Sequence, residues 1–328
     1  MKNNVVEIDQ KTNSFLDSSV LILTYARITN TLDILELLLK STNSNIFIFQ
    51  DAPKSQIVES SQELLIRYLK ALPKESKNRI KFKRNNFNQG IAVSMISALD
   101  WFFNCNDFGV IVEDDLVFNS DFLRWCAFAN SQLRSDKSIF LISGNRYLQY
   151  KGMESKSILT RYPQTWGWAT WRDRWKLFRS EMGYLHIRIS DFFSRRDSFW
   201  LGGTLRVLSG KTDTWDILVS RYMYKKKLFS ALPPVNLVSN IGNDSSAIHT
   251  IHSSFPIRFP ISPLNFEKLF IDQSDSAAIR DMDNFLEQKV FNIKPKHVFS
   301  SYKNLSLVFC RQHLIKRLDS NLTVEIEI

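Results

Sequence analysis

Strand-like and helix-like segments alternate along residues 20–143, and this alternation restricts the fold more than any other feature of the sequence. Short β-branched or aromatic runs predict strands, and apolar residues at helical spacing predict helices. Repeated strand–helix units indicate an α/β fold: a mostly parallel sheet with helices on both faces. The predicted strands are 20–25, 46–49, 80–82, 110–112 and 139–143, and the predicted helices are 29–40, 56–72, 90–103 and 121–133.

The fourth predicted strand ends in three consecutive acids, Glu113, Asp114 and Asp115. Carboxylates at the end of a buried strand repel one another and resist desolvation, so their charge must be compensated. A divalent cation is the simplest candidate, since Mg²⁺ and Mn²⁺ prefer hard oxygen ligands and also bridge phosphates. The alternative for the two aspartates is capping of the next helix, but three acids exceed what a cap needs. The pattern therefore predicts a metal-assisted enzyme acting on a nucleoside diphosphate compound.

Other polar residues follow the ends of neighbouring strands. Thr24, Asp51 and Asn88 lie at or after such ends, together with the acids that follow the fourth strand. Ligands bind outside the carboxyl ends of the strands in sheets of this kind, so we expect one common site. Asp51 either holds the base or ribose of a nucleotide or is a turn residue before Pro53. Arg27 either approaches the nucleotide or is a solvated charge at a helix start.

Composition narrows the class of protein. The chain has 328 residues, enough for one large or two small domains, and its three cysteines show no metal-ligand spacing. Sparse cysteines predict reduced thiols in a cytoplasmic protein. The sequence has no apolar run of about 18 residues and no signal-peptide core near the first methionine. The net charge of +10 fits nucleic acid, anionic membrane or phosphorylated substrates. Without a nucleic-acid-binding motif, we favour the last two.

The pattern changes after about residue 145. The run TWGWATWRDRW at 165–175 contains Trp166, Gly167 and Trp168. Tryptophan stacks on sugar rings, and glycine lets a ligand approach the backbone closely. The alternative is that the tryptophans are ordinary core residues. A helix is predicted at 214–226, and Asp213 and Asp216 straddle its start, where capping and the helix dipole favour acids.

Taken in order, these motifs resemble GT-A glycosyltransferases, in particular bacterial sugar transferases related to the N-acetylglucosaminyltransferase I family. The resemblance spans roughly residues 20–250. It implies a GT-A fold with a mixed, mostly parallel sheet and a C-terminal helical extension, and a metal-dependent transfer with inversion. The motifs are VLILTYAR at 20–27, IFIFQDAP at 46–53, NQGI at 88–91, EDDL at 113–116, TWGWATWRDRW at 165–175, TDTW at 212–215 and NIGNDSSAIH at 240–249.

The resemblance also implies roles for residues. Asp115 would coordinate Mn²⁺ or Mg²⁺, and Asp114 would bind ribose or an ordered ligand water. His249 either contacts the metal or diphosphate or is an ordinary core or surface histidine. The residues expected to bind the nucleotide sugar are Thr24, Arg27, Asp51, Asn88, Gly90, Glu113, Asp114, Trp166, Gly167 and Trp168.

An inverting transferase needs a carboxylate that deprotonates the acceptor hydroxyl. We expect this base to be Asp213 rather than Asp216, because Asp213 sits closer to the loop side of the predicted helix. The related Golgi enzyme has two adjacent acids flanked by tryptophans where this chain has Asp213-Thr214-Trp215-Asp216. This departure keeps both acids as catalytic candidates. The loop at 243–246 is expected to close over the donor.

The expected organisation is a glycosyltransferase domain at 1–260, with a nucleotide-sugar half at 20–143 and an acceptor half at 144–260. Residues 261–328 would form a C-terminal extension. Its basic amphipathic segment at 304–318 would either pack in the core or lie on an anionic membrane, at the inner face of the cell membrane.

The expected donor is a nucleoside diphosphate sugar, with a UDP-sugar favoured. The expected acceptor is a glycan or lipid-linked oligosaccharide in the synthesis of a bacterial surface polysaccharide, such as lipopolysaccharide or capsule. One alternative is a nucleotidyltransferase acting on sugar phosphates, although a Gly-rich phosphate loop is missing near the first strand. Another is a non-catalytic glycan-binding protein, which the intact acids argue against.

Overall fold

A ten-stranded mixed sheet carries helices on both faces, which confirms the predicted α/β class. The computed structural model describes residues 18–149, 152–182, 187, 190–242, 258–294, 301, 304, 312–319 and 323–326. In these ranges the strands are β1 (Ser19–Thr24), β2 (Ile46–Gln50), β3 (Ile80–Asn85), β4 (Phe108–Glu113), β5 (Leu116–Phe118), β6 (Ile139–Ser143), β7 (Lys156–Thr160), β8 (Trp168–Trp171), β9 (Phe229–Leu232), β10 (Val238–Asn240), β11 (Phe270–Ile271) and β12 (Thr323–Ile326). The helices are α1 (Ile28–Ser41), α2 (Gln56–Ala71), α3 (Lys74–Lys77), α4 (Ile91–Cys105), α5 (Ser120–Leu133), α6 (Arg172–Glu181), α7 (Ser190–Phe193), α8 (Arg195–Leu208), α9 (Asp216–Lys226), α10 (Ser276–Phe285) and α11 (Gln312–Asp319).

The order of strands in the sheet is β11-β7-β9-β6-β8-β4-β1-β2-β3-β12. The four neighbours β4, β1, β2 and β3 are parallel, and the registers pair Thr24 with Gln50 and Leu23 with Glu113. The carboxyl ends of these strands therefore meet at one edge. Two further strands, β5 and β10, form a small antiparallel pair beside it.

The strands after residue 143 continue the same sheet. β8 lies between β4 and β6 and runs antiparallel to both, while β9 is parallel to β6 and antiparallel to β7. The segments 20–143 and 144–260 thus share one sheet. Because β8 is only four residues long, its two-residue alternation is too short to predict a strand.

Alternation of side chains along β1 divides the core between the two faces. Val20 and Ile22 pack with residues of α1, α2 and α5, whereas Leu21 and Leu23 pack with residues of α4, α6 and α9. Because both faces of β1 are covered by helices, neither set of alternating side chains reaches solvent, which explains its continuous apolar sequence.

The chain after residue 261 also joins the sheet. It adds β11 beside β7 and β12 antiparallel to β3 at the opposite edge. In α11, Leu314 is buried and Leu318 packs against the cluster that contains α4, so core packing is the alternative seen for 312–319. Arg317 donates a hydrogen bond to the carbonyl of Gln89.

Residues 305–311 lie outside the described ranges, and membrane contact by 304–318 stays a prediction. In the described part of the chain, no helix is long and apolar enough to cross a membrane.

One buried cation organises the turn that follows β6. Arg146 is 0% exposed, and its guanidinium donates hydrogen bonds to four backbone carbonyls. Nη1 donates to Lys156, Pro233 and Pro234 at 3.0, 3.1 and 2.9 Å, and Nε donates to Leu148 at 3.0 Å. These bonds connect the turn after β6 to β7 and to the segment between β9 and β10.

We expect Arg146→Met to lower the free energy of unfolding by at least about 3 kcal/mol, because several buried carbonyls lose their donor at once. The urea midpoint measures this. Arg67→Met is the matched control, since the Arg67 side chain is 71% exposed, and it should change stability by no more than about 0.5 kcal/mol. Equal midpoints for the two variants would contradict the assignment.

Candidate active site

Asp114 holds the loop between β1 and α1. Its Oδ2 accepts hydrogen bonds from the backbone N–H of Tyr25 at 2.7 Å and of Arg27 at 3.3 Å, and the Thr24 hydroxyl lies at 3.5 Å. The Arg27 guanidinium lies 3.9 Å from Oδ1. Burial raises the pKa of Asp114, while these hydrogen bonds and the Arg27 charge oppose the rise. Asp114 and Thr24 thus have internal partners, and their contacts with a nucleotide stay predictions.

Asp115 faces the chain that leaves β10. Its Oδ2 accepts from the Asn240 amide at 3.2 Å, and its carbonyl accepts from the N–H of Ile241 at 2.8 Å. Gly242 lies so close that a Cβ there would be 2.6 Å from Oδ2. Burial first, and then the Asp114 charge, raise the pKa of Asp115 to about 6. His249 and the predicted loop at 243–246 lie outside the described residues.

Glu113 completes the acid cluster at the end of β4. Its side chain is half-buried, and burial raises its pKa well above the ordinary range. The charges of Asp115, Asp114 and Asp216 raise the pKa further, in that order. Four acids therefore share one electrostatic environment, although they come from two distant parts of the sequence.

The donor chemistry of this cluster fits a hard divalent cation. Its carboxylate oxygens suit Mg²⁺ or Mn²⁺, and a cation would relieve the repulsion that raises their pKa values. Within the described ranges, no group of three or more His, Cys, Asp or Glu side chains is arranged to hold a metal by itself. An open site of this kind suits Mg²⁺, which is usually bound by one or two carboxylates together with waters and substrate phosphates.

Asp51 is the centre of a second group of contacts, at the carboxyl end of β2. Its Oδ1 accepts from the N–H groups of Ala52 and Gln89, both at 3.0 Å, and from the Asn85 amide at 2.8 Å. Its Oδ2 accepts from the N–H of Gly90 at 3.0 Å. These internal donors account for its burial, and contact of Asp51 with a nucleotide base or ribose stays a prediction.

Asp213 caps α4 rather than the helix that follows it in sequence. Its two carboxylate oxygens accept from the backbone N–H groups of Ile91 at 3.1 Å and Ala92 at 3.0 Å. Gly90 precedes them with φ +78°, and a Cβ there would lie 2.1 Å from the Asp213 carboxylate. Gly90 is thus required by this internal contact. The Asn88 amide donates to the carbonyl of Ala52, in the turn after β2, at 2.7 Å.

Asp216 points in a different direction. It starts α9, and its Oδ1 accepts from the Thr214 hydroxyl and from the Ile217 N–H at 2.9 Å. Its charge contributes to the raised pKa of Glu113 and of Tyr147. The charge of Asp216 therefore acts on the acid cluster at the end of β4.

Two residues of the tryptophan-rich motif pack inside the protein. Trp168 is 1% exposed and stacks on Trp215, with ring centroids 5.3 Å apart, as the alternative of an ordinary core residue predicts. Gly167 has φ +62°, and a Cβ there would lie 2.9 Å from Val238 and 3.0 Å from Phe122. This glycine is required by internal packing, and contact of Trp168 or Gly167 with a nucleotide sugar stays a prediction. The third residue of the motif, Trp166, remains half-buried.

Sequence reasoning missed several residues that build the site. The Gln62 amide donates to the carbonyls of Tyr25 at 2.8 Å and Asp51 at 2.9 Å, and so joins the ends of β1 and β2. Its sequence signal is a polar residue in step with the buried Leu65 and Leu69 of α2. Asn240 begins the quoted motif at 240–249, but its hydrogen bond to Asp115 was not predicted.

Comparison with protein-family models finds no match, and comparison with curated proteins finds none. Among solved structures, the chain is similar to glucosyl-3-phosphoglycerate synthase from Mycobacterium tuberculosis in complex with Mn²⁺, UDP-glucose and phosphoglyceric acid. That likeness has 13% identity and a TM-score of 0.28, and covers 48% of this chain and 57% of that chain. The structure of the same enzyme with Mn²⁺, UDP and phosphoglyceric acid has 13% sequence identity and a TM-score of 0.27. That match covers 48% of this chain and 56% of the other chain. The chain spans just over half the length of these structures. The α/β fold is assigned from the strand order and helices of this chain itself.

The raised pKa of Asp115 predicts how stability depends on pH without metal. Its folded value of about 6 exceeds the ordinary value of about 4, so the folded state binds this proton more tightly. The corresponding stability is fully present below about pH 4 and is lost as the pH rises through about 6. Asp115→Asn avoids that loss. In EDTA the free energy of unfolding of the variant should exceed that of the wild type by up to about 3 kcal/mol at pH 8, and by little at pH 4.

Urea unfolding at both pH values measures this effect. Asp107→Asn is the control, because Asp107 precedes the opposite end of β4 and its side chain is 66% exposed. It should show no such dependence. An Asp115→Asn difference that is the same at pH 4 and pH 8 would contradict the charge repulsion.

Proposed function

We propose that this chain is a cation-dependent glycosyltransferase that moves a sugar, with inversion, from a nucleoside diphosphate sugar to a glycan or lipid-linked acceptor. The observation that carries the proposal is the cluster of Glu113, Asp114 and Asp115 at the carboxyl end of β4, on which the charge of Asp216 also acts. This is the edge at which α/β sheets bind ligands. The ordered motif resemblance to GT-A enzymes supports the same activity.

The donor side is the region of Asp115 and the β1–α1 loop. Asp115 would hold Mn²⁺ or Mg²⁺, and a bound cation would offset the negative charge of the leaving nucleoside diphosphate. Asp114 fixes the loop that carries Arg27, whose positive charge also acts on Asp115. Asn240 orients the Asp115 carboxylate through its amide. A UDP-sugar is the favoured donor, by resemblance.

The general base is Asp216 in this proposal, in place of the earlier preference for Asp213. Both oxygens of Asp213 accept backbone N–H groups of α4, so each oxygen already has a donor. Asp216 uses Oδ1 for its bonds within the start of α9 and leaves Oδ2 without a donor in the described part of the chain. The proton of the acceptor hydroxyl passes to Asp216, the hydroxyl oxygen bonds to the anomeric carbon, and the nucleoside diphosphate leaves with the electron pair of the broken bond.

The biological setting follows from the resemblance alone. Bacterial transferases with this series of motifs build surface polysaccharides such as lipopolysaccharide or capsule, so we place the acceptor in that class. The basic segment at 304–318 would then bring the enzyme to the membrane face where lipid-linked acceptors are found. This part of the proposal concerns the acceptor's source and is independent of the chemistry at β4.

Incubation with a panel of UDP-sugars and other nucleoside diphosphate sugars and Mn²⁺, followed by mass spectrometry, tests the activity. We expect one donor to be consumed, by transfer or by slow hydrolysis. Asp115→Asn should lower kcat/KM at least about 100-fold, since cation charge stabilisation is worth several kcal/mol. Asp107→Asn should retain full activity. Full activity in excess EDTA would reject the cation, and pyrophosphate release from a nucleoside triphosphate and a sugar phosphate would indicate a nucleotidyltransferase.

The two candidate bases should show opposite effects. Asp216→Asn should lower kcat about 10²–10⁴-fold with an unchanged urea midpoint, because asparagine still accepts the bonds of Oδ1. Asp213→Asn should retain kcat within a few-fold but lose about 1–2 kcal/mol of stability, because one of its two backbone donors loses its acceptor. Steady-state kinetics and urea unfolding of both variants decide. Loss of turnover in Asp213→Asn alone would restore Asp213 as the base.

A further inference from the structure

Tyr147 packs on two further aromatic side chains, and we call Tyr147, Trp166 and Phe259 the aromatic wall. Tyr147 packs edge-to-face on Trp166, with centroids 5.1 Å apart and planes at 88°. It also packs on Phe259 at 5.3 Å and 55°. All three are half-buried, so each ring is held by the protein and still presents part of its surface outward. Fixed rings of this kind bind a flat apolar surface at little entropic cost.

The sheet register places the aromatic wall at the same edge as the acid cluster. β8 runs antiparallel to β4 and pairs Trp168 with Ile111, so two further residues along the chain bring position 166 level with Glu113. Tyr147 follows the carboxyl end of β6, which lies on the other side of β8. Both residues therefore project from the sheet edge where Glu113 ends β4.

Electrostatics link the aromatic wall to the proposed base. Burial, and then the Asp216 charge, raise the pKa of the Tyr147 hydroxyl, so it stays protonated at neutral pH. The Asn145 side chain hydrogen bonds with the same hydroxyl. The wall thus offers a neutral polar group and aromatic faces close to a carboxylate.

This combination selects for one class of ligand. A pyranose ring has an apolar face of C–H groups that packs on aromatic rings, and hydroxyls that bond to carboxylates and phenols. A negatively charged acceptor would instead meet the repulsion of the acid cluster. An aliphatic chain would leave the polar groups of this edge without partners.

We propose that the aromatic wall is the acceptor subsite and that it holds an uncharged pyranose with a hydroxyl directed at Asp216. This inference rests on the proposed glycosyltransferase function, and it adds the chemical class of the acceptor and the residues that choose it. In the transfer, the acceptor hydroxyl gives its proton to Asp216, and its oxygen replaces the diphosphate oxygen on the anomeric carbon.

The test separates acceptor binding from donor chemistry. With the donor whose hydrolysis the panel identifies, rates are measured with water alone and with methyl glucoside, methyl galactoside or methyl N-acetylglucosaminide as neutral acceptors. Methyl glucuronide is the anionic comparison. We expect at least one neutral glycoside to be a better acceptor than the glucuronide. Trp166→Ala should raise its KM about 3- to 10-fold.

Variants around the wall sharpen the result. Trp166→Phe should recover part of the affinity, and Trp166→Ala combined with Tyr147→Ala should lose more than either change alone. Phe270→Ala is the matched control, because Phe270 is 50% exposed on β11, which four strands separate from β4. It should leave the acceptor KM unchanged. An unchanged KM in the double variant, or a preference for the glucuronide, overturns the subsite.

A binding experiment keeps the inference testable if no donor is hydrolysed, which would reject the proposed function. Saturation-transfer NMR with the same methyl glycosides reports protein contact with the ring protons directly. We expect saturation of the C–H protons on one face of the ring in the wild type and its loss in Trp166→Ala, with the melting temperature of each variant as the folding check. Equal saturation in both proteins, or none in the wild type, overturns the aromatic wall as a sugar site.

Discussion

A buried carboxylate must have hydrogen-bond donors or a compensating charge, and this constraint organises the edge of the sheet at which the proposed site lies. The fold supplies backbone or amide donors to Asp51, Asp114 and Asp213, and each of these three acids fixes a turn. In the described part of the chain it leaves Oδ2 of Asp216 without a donor, and burial raises the pKa of Glu113. The acids thus divide into those that build the site and those that face it.

This division explains why several residues expected to touch a ligand are internal. Asp51 and Gly90 belong to a single turn, in which the carboxylate collects N–H groups and the glycine makes room for Asp213. Asp114 closes the loop after β1 in the same way. A turn that is rigid because its polar atoms are satisfied can hold a nucleotide without contributing each of its side chains to the contact.

The sequence predicted most of the first half of the fold, because strand and helix periodicity is strong there and both sheet faces are apolar. The helix boundaries differ by at most two residues, since caps decide them: the helix predicted at 214–226 begins at Asp216. The strands after 143 were not predicted, because β7, β8 and β9 are short and their positions are set by pairing with other strands of the sheet. In the site, the acids of β4 were recognisable from local sequence. The capping of α4 by Asp213 was not, since it joins residues more than 120 positions apart.

The choice between Asp213 and Asp216 shows what local sequence lacks. The two acids are three residues apart, and a helix start would place both near one another. Trp215 lies between them, is 4% exposed, and stacks on Trp168 of β8. This stack fixes the chain against the sheet, so that Asp213 turns back to the start of α4 while Asp216 enters the environment of Glu113. Trp168, which the sequence motif suggests as a sugar contact, thus packs on Trp215 and helps to hold Asp213 and Asp216 in different directions.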